Sequence, residues 1–170
     1  VHKGIEDLLK AVSLIKDQDV VSVIGGIDKD CYSQNLVRIG KEMLRSRFKV
    51  FGLQPFKKAP EFLAMSDIIV IPQRRTLGSK GQVPAKVFEA MAMAKPIIAT
   101  DVSDLPEILD GCGWIIEPEK PKELTETIQY VLNHPKEAKE IGWKARQKCI
   151  KKYSWDAMEK ILLKVFKKYE

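Results

Sequence analysis

The chain has 170 residues, 45% of them apolar and 31% charged, which bounds it to a single globular domain with a full core. No run of about 18 apolar residues reads as a membrane span. The three cysteines, Cys31, Cys112 and Cys149, match neither a disulfide framework nor a zinc pattern. Reduced thiols in a cytoplasmic protein are therefore expected, and the inner face of the cell membrane is the alternative location. His2 and His134 are too few for a histidine metal site, so no metal and no cofactor is expected. The net charge of +6, with lysines crowded into the last third, suits a solvated basic surface, phosphate-bearing ligands or an anionic membrane. No aromatic–basic interleaving or binding motif points to nucleic acid.

In chain order, the sequence opens at Val1-His2-Lys3-Gly4, already near a helix start, so a fragment boundary is expected there. Ile5, Leu8, Leu9, Val12 and Ile15 recur at helical spacing and predict an amphipathic helix over 5–16. Residues 19–24 read as a buried strand running into a tight turn at Gly25-Gly26. Tyr32, Leu36, Ile39 and Met43 form the next helical stripe. A strand at 48–52, a helix at 57–66 and a strand at 67–72 follow, and Pro72 closes the last of these. The stretch 73–83, with Arg74, Arg75, Ser79 and Lys80, reads as a polar loop able to move over a site. A helix at 84–94, a strand at 96–100, a short helix at 104–109 and a strand at 113–116 come next. Helices over 121–133, 135–151 and 155–169 close the chain, the last with Ser154 as its N-cap.

Apolar strands alternating with helices predict an α/β fold: a doubly wound, Rossmann-like parallel sheet with helices on both faces. Ligands in such folds bind beyond the carboxyl ends of the strands. The most informative stretch there is Gly81-Gln82-Val83-Pro84-Ala85-Lys86-Val87-Phe88-Glu89. Gly81 is read as freeing the backbone, and Pro84 as a first helical residue whose missing N–H costs nothing. The amides of Ala85 and Lys86 then lack helical partners and offer an anion site. Glu89, one turn on, suits sugar hydroxyls. Together they suggest a site for a nucleotide or sugar phosphate; the alternative is a capped surface helix with a solvated glutamate. Lys86 itself reads equally well as a surface charge. Arg74 and Arg75 follow a strand end where guanidinium groups meet phosphates, and at least one of them is expected in a surface salt bridge. Glu107 fits either the site mouth or a helix cap, with the structural role preferred. Trp114, Trp143 and Trp155 are expected to pack in the core or between helices, and Met91 and Met93 to pack likewise.

The segment Pro84-x-Lys86-x-x-Glu89-Ala90-Met91-Ala92-x-x-Lys95-Pro96-Ile97-Ile98-Ala99 resembles the signature of retaining, GT-B-fold glycosyltransferases of the group 1, family 4 type, in their C-terminal nucleotide-sugar-binding domain. His2-Lys3-Gly4, Val23-Ile24-Gly25-Gly26, Val50-Phe51-Gly52, Ser66 to Pro72, Leu105-Pro106-Glu107-Ile108 and Tyr153-Ser154-Trp155 extend the likeness in order across nearly the whole chain. The resemblance implies a lobe, residues 1–170, that binds a UDP- or GDP-sugar. The intact hexosyltransferase would pass the sugar, with retention, to a saccharide or lipid-linked acceptor, by front-face substitution in which the leaving phosphate takes the acceptor's proton. The fragment alone would be inactive. Lys3 is implied as the catalytic lysine on the donor diphosphate, Glu89 as the ribose ligand, and Pro84, Ala85 and Lys86 as the phosphate mouth. Gly25, Gly26, Gly52 and Leu53 would line the nucleotide pocket, and Arg75 is assigned to the donor. A nucleotide-sugar epimerase of the same fold and a non-catalytic nucleotide-binding module are the alternatives. A flavodoxin-like receiver is disfavoured, because Asp67 opens its strand rather than ending it.

The sequence also departs from the family pattern. Gly81 stands where relatives carry the first glutamate of a pair, which contacts the transferred sugar. Val102-Ser103-Asp104 replaces a frequent glycine pair, so a stiffer loop is expected. The family's arginine before Lys3, the first strand of this domain and the acceptor-binding N-terminal domain are expected to lie outside the sequence.

Overall fold

The computed structural model describes residues 3–167; His2 of the predicted His2-Lys3-Gly4 segment and the last residues of the predicted closing helix lie outside them. Helix α1, Ile5–Leu14, leads to strand β1, Ser22–Ile27, then to α2, Cys31–Leu44, and β2, Phe48–Gly52. A short α3, Ala59–Ala64, precedes β3, Ile69–Ile71. Next come α4, Leu77–Lys80, α5, Lys86–Ala92, and β4, Ile97–Thr100. After α6, Leu105–Leu109, and β5, Trp114–Ile116, three helices finish the fold: α7, Pro121–Asn133, α8, Pro135–Lys152, and α9, Trp155–Phe166. The N-cap expected of Ser154 is present, its hydroxyl accepting from the Ala157 amide at 3.2 Å.

All pairings are parallel, in keeping with an α/β fold whose crossovers are helical. The parallel, doubly wound arrangement expected from the sequence is present, in two parts. β1 pairs with β2, and β3-β4-β5 form a second sheet, with no strand pairing between the two among the described residues. Side-chain alternation along the three-stranded sheet explains why its strands are apolar throughout. Val70, Ile98, Trp114 and Ile116 point into one core with α1, α2 and α7, while Ile69, Ile71, Ile97, Ala99 and Ile115 point into another with α5, α6 and α8. Both faces are therefore covered.

Three local readings change. Gly25-Gly26 lies inside β1 rather than in a turn after it. Ile24 pairs with Val50 but Ile27 with Gly52, so three steps on β1 match two on β2, and Gly26 takes φ +78° in the resulting bulge. The stretch 73–83 is not featureless: Thr76 and Ser79 form a capping box around α4, and Ser79 is fully buried. Pro84 is not the first helical residue, because α5 starts at Lys86 with Ala85 as its N-cap; the carbonyl of Pro84 closes a preceding turn with the Val87 amide at 3.0 Å.

Four basic side chains serve the fold directly. Arg47 is buried and donates to the carbonyls of Val12, Ile15 and Asp17, capping the end of α1. Lys95 reaches the carbonyls of Ala64 and Ser66 at 2.8 and 2.7 Å beyond α3, Arg146 that of Ala92 on α5, and Lys148 those of Glu107 and Asp110 around α6. Each cation meets the negative end of a helix, where carbonyls outnumber the amides available to them.

The end of α5 contains a testable mismatch. The Ala94 amide bonds to Met91 O at 3.0 Å and the Lys95 amide to Ala90 O at 3.1 Å, the pair of bonds of a Schellman motif. Its left-handed position, φ +54°, is filled by Ala94 where glycine is preferred. Ala94→Gly is expected to stabilise the chain by about 0.5–1 kcal/mol, seen as a higher urea midpoint at unchanged slope. Lower stability would mean that the motif is not under strain.

Candidate functional site

The site is built where the start of α1 meets the segment leaving β3. Gly4 takes φ +63°, and its carbonyl accepts from the amides of Asp7 and Leu8 to open α1. A Cβ at Gly4 would lie 1.7 Å from the Pro72 carbonyl oxygen, so only glycine allows this approach. Lys3, one residue earlier and exposed, is thereby held at the carboxyl end of the sheet.

From the other side comes α5. Ala85 and Lys86 are exposed, and among the described residues no acceptor takes their amides. Glu89 is half-buried, and among the described residues no group donates to its carboxylate. The Lys86 ammonium is held below its ordinary value, first by desolvation, then by the positive charge of Lys3, with Glu89 opposing both. Lys86 is exposed as a residue, so its crowding is local to the ammonium and the effect is moderated by solvent. Lys3 and Glu89 are thus the charges that bear on the Lys86 ammonium, Lys3 from a segment more than 80 residues earlier in the chain.

The remaining candidates fall into separate places. Arg75 donates to the carbonyl of Asp101 at 2.9 Å and to its carboxylate at 3.1 Å, with Glu117 at 3.9 Å, so it bridges the ends of β4 and β5. Arg74 is salt-bridged as well. It makes two bonds to Asp7 at 2.7 and 2.8 Å, with Glu6 and Glu119 each at 3.8 Å, and Asp7 above all raises its pKa. Three carboxylates around one guanidinium make Arg74 a poor phosphate ligand. Gly25, Gly26, Gly52 and Leu53 sit together at the ends of the β1–β2 pair, where Leu53 is 68% exposed.

Other sequence readings are corrected here. Gly81 has φ −100° and nothing within 4 Å of a built Cβ, so it uses no special backbone freedom. Lys95 of the signature segment caps α3. Glu107 lies in the first turn of α6 and its carbonyl accepts from Lys148, in line with the structural role preferred for it. Trp114 packs against the core, but Trp143 and Trp155 are 57% and 90% exposed rather than packed. Ser103 takes φ +55°, the conformation that explains a glycine preference in this loop. Sequence reasoning overlooked Asp7 and Thr76. An acid in the first turn of α1 and the Thr76-x-x-Ser79 spacing were the available signals.

Tyr32 adds to the same edge. Its hydroxyl is buried without a hydrogen-bond partner, and burial first, then Glu6, pushes its pKa up to about 12. The N-termini of α1 and α2 therefore meet the exits of β3 and β5 on one side of the domain. Among the described residues the three cysteines are free, no group of three metal-ligating side chains occurs, and no helix is long and apolar enough to cross a membrane. An open hollow of about 380 Å³ lies elsewhere, along the apolar side of α9, lined by Trp155, Leu162 and Phe166.

Residues 1–134 match the family described as glycosyl transferases group 1. The chain is 33% identical over 171 residues to an uncharacterized glycosyltransferase of Methanocaldococcus jannaschii, covering 99% of this chain and 45% of that protein. It is 25% identical over 180 residues to the alpha-maltose-1-phosphate synthase of Mycolicibacterium smegmatis, covering 98% and 45%. Among solved structures, a glycosyltransferase from Rickettsia africae superposes with a TM-score of 0.80 at 24% identity, over 99% of this chain and 45% of that one. Anabaena HepE in complex with UDP-glucose superposes with a TM-score of 0.86 at 17% identity, over 98% and 46%. The chain thus spans less than half the length of these relatives.

Proposed function

The chain belongs to the glycosyl transferases group 1 family, and on that premise we propose that it is the donor-binding lobe of a retaining enzyme that moves a sugar from a nucleoside-diphosphate sugar to an acceptor. The observation that carries this reading is the pair of open amides at Ala85 and Lys86 with the Glu89 carboxylate, unpartnered among the described residues, one turn on, at a start of α5 where Lys3 bears on the Lys86 ammonium. An ammonium lowered first by desolvation and then by the charge of a second ammonium gains from an anion. A diphosphate supplies that charge, and Glu89 is free to accept from ribose hydroxyls. The neighbouring HepE structures, solved with UDP and with UDP-glucose, favour UDP over GDP as the first ligand to test.

In the proposed reaction the bond from the anomeric carbon to the diphosphate oxygen breaks, and negative charge gathers on the leaving group. Lys3, with the amides of Ala85 and Lys86, stabilises that charge as it grows. The leaving phosphate takes the acceptor's proton on the face it departs from, which retains configuration. Pro84 shapes the mouth, while Gly25, Gly26, Gly52 and Leu53 line the nucleotide side. Gly81 brings no side chain to the transferred sugar, and the space beside that residue is open.

The rest of the protein completes the proposed enzyme. The unpaired edges of β1 and β3 suit one further strand that would join the two sheets. The other lobe brings the saccharide or lipid-linked acceptor and covers α9, where Ile161, Leu162, Leu163 and Phe166 are each at least 50% exposed. The basic flank of α8 and α9 suits work at the inner face of a membrane.

Calorimetry with UDP and GDP tests this reading; silence at millimolar concentrations of both would overturn it. Proton linkage gives a finer check. Free Lys86 loses its proton at lower pH than an ordinary lysine, and a bound diphosphate reverses that shift. Between the two values binding takes up a proton, so affinity falls as pH rises through the free-state value. The uptake is measured as a dependence of the heat on buffer ionisation enthalpy, and Lys86→Met is expected to abolish it.

A further inference from the structure

Two contacts fasten the turn bearing Lys3 to the segment that leaves β3. Gly4 lies against the Pro72 carbonyl, and a Cβ there would also stand 3.5 Å from the Arg74 side chain. Three residues on, Asp7 receives both Nε and Nη2 of Arg74 at 2.7 and 2.8 Å. The pair is largely shielded, with 8% of the Asp7 side chain and 20% of the Arg74 side chain exposed. Arg74 is itself fixed from behind, because the fully buried Ser79 hydroxyl donates to its carbonyl at 2.6 Å. Ser79 belongs to α4, whose chain runs on directly into Gly81 to Lys86. One continuous set of contacts thus links the α1 turn, Asp7, Arg74, Ser79 and the approach to α5.

We propose that Arg74 is a positioning residue: through Asp7 it holds the first turn of α1, and with it Lys3, in register with the start of α5. The guanidinium does not touch the diphosphate, because Asp7, Glu6 and Glu119 already surround it. A planar fork is required, since a lysine at this position cannot make two parallel bonds to one carboxylate. The inference rests on the donor-binding reading of Lys3.

The test is a double-mutant cycle on the affinity of this chain for UDP, or for GDP where UDP does not bind. Lys3→Met and Arg74→Gln are measured singly and together, each variant first checked for a folded far-ultraviolet spectrum. Lys3→Met is expected to weaken binding about tenfold or more, the range of a lost charged contact. Arg74→Gln is expected to weaken it by a similar factor in the natural chain and by less than about twofold when Lys3 is already methionine. A role confined to stability would lower the melting temperature of Arg74→Gln and leave its affinity unchanged, and losses in affinity that multiply would mean that Arg74 acts independently of Lys3; either result overturns the proposal. An unchanged affinity in Lys3→Met alone overturns the reading of Lys3 and the inference with it, while leaving nucleotide binding by the lobe intact. Asp7→Asn serves in place of Arg74→Gln should the latter fail to fold, with the same pattern expected. Arg74→Lys is expected to follow Arg74→Gln rather than the natural chain.

Discussion

Gly4→Ala is expected to lower the stability of the chain by about 2–4 kcal/mol, among the largest effects of any single methyl group added to it. Two costs add. The residue sits at φ +63°, where a side chain costs about 1 kcal/mol or more. The new Cβ would also fall 1.7 Å from the carbonyl oxygen of Pro72, a backbone atom with no rotamer in which to escape. Relief requires α1 to move away from β3, which breaks the contact between Arg74 and Asp7. Urea unfolding followed by circular dichroism measures the loss. Gly81→Ala is the matched control: with φ −100° and open space, it is expected to be neutral or to stabilise by up to about 1 kcal/mol through the unfolded state. Equal losses at the two glycines would contradict this account of α1 docking.

Glu89→Gln is expected to weaken nucleotide binding by about 10- to 100-fold, the equivalent of the 1.5–3 kcal/mol carried by hydrogen bonds to a charged group. In the proposed complex the carboxylate accepts from ribose hydroxyls, and an amide both lacks the charge and presents N–H groups to those same donors. The assignment to ribose, rather than to base or sugar, has its own signature. The natural chain should discriminate UDP from 2′-deoxy-UDP, and Glu89→Gln should lose most of that discrimination. Discrimination that survives the substitution would place Glu89 elsewhere in the complex. Fold integrity is not at stake, since among the described residues the carboxylate takes part in no ion pair or hydrogen bond.

Reading the sequence captured what local physics controls. The spacing of Ile5, Leu8, Leu9 and Val12 marked α1, and the apolar runs marked strands buried on both faces. Ser154 announced the last helix by the chemistry of its hydroxyl. The α5 start was legible to within two residues, because proline followed by apolar periodicity is itself a local signal. Gly25-Gly26 was less legible: a glycine pair reads as a turn, whereas a bulge exists only relative to the partner strand that it slips against. Sequence reasoning assigned backbone freedom to Gly81 and none to Gly4, whereas the left-handed backbone of Gly4 and the Pro72 carbonyl beside it make Gly4 the required glycine and Gly81 the replaceable one.

The same division runs through the charges. From sequence alone came the order of elements, the α/β class, the basic surplus and the stretch that begins α5, all set by neighbours within a few residues. The tertiary structure decided which cations face ligand and which close helices. Arg47 and Lys95 reach carbonyls some 30 residues away, and Arg74 a carboxylate 67 residues away. Such partners are set by how helices pack on sheets, because an unpaired helix terminus attracts whatever cation the packing brings within hydrogen-bond distance, and no spacing along the chain encodes that distance.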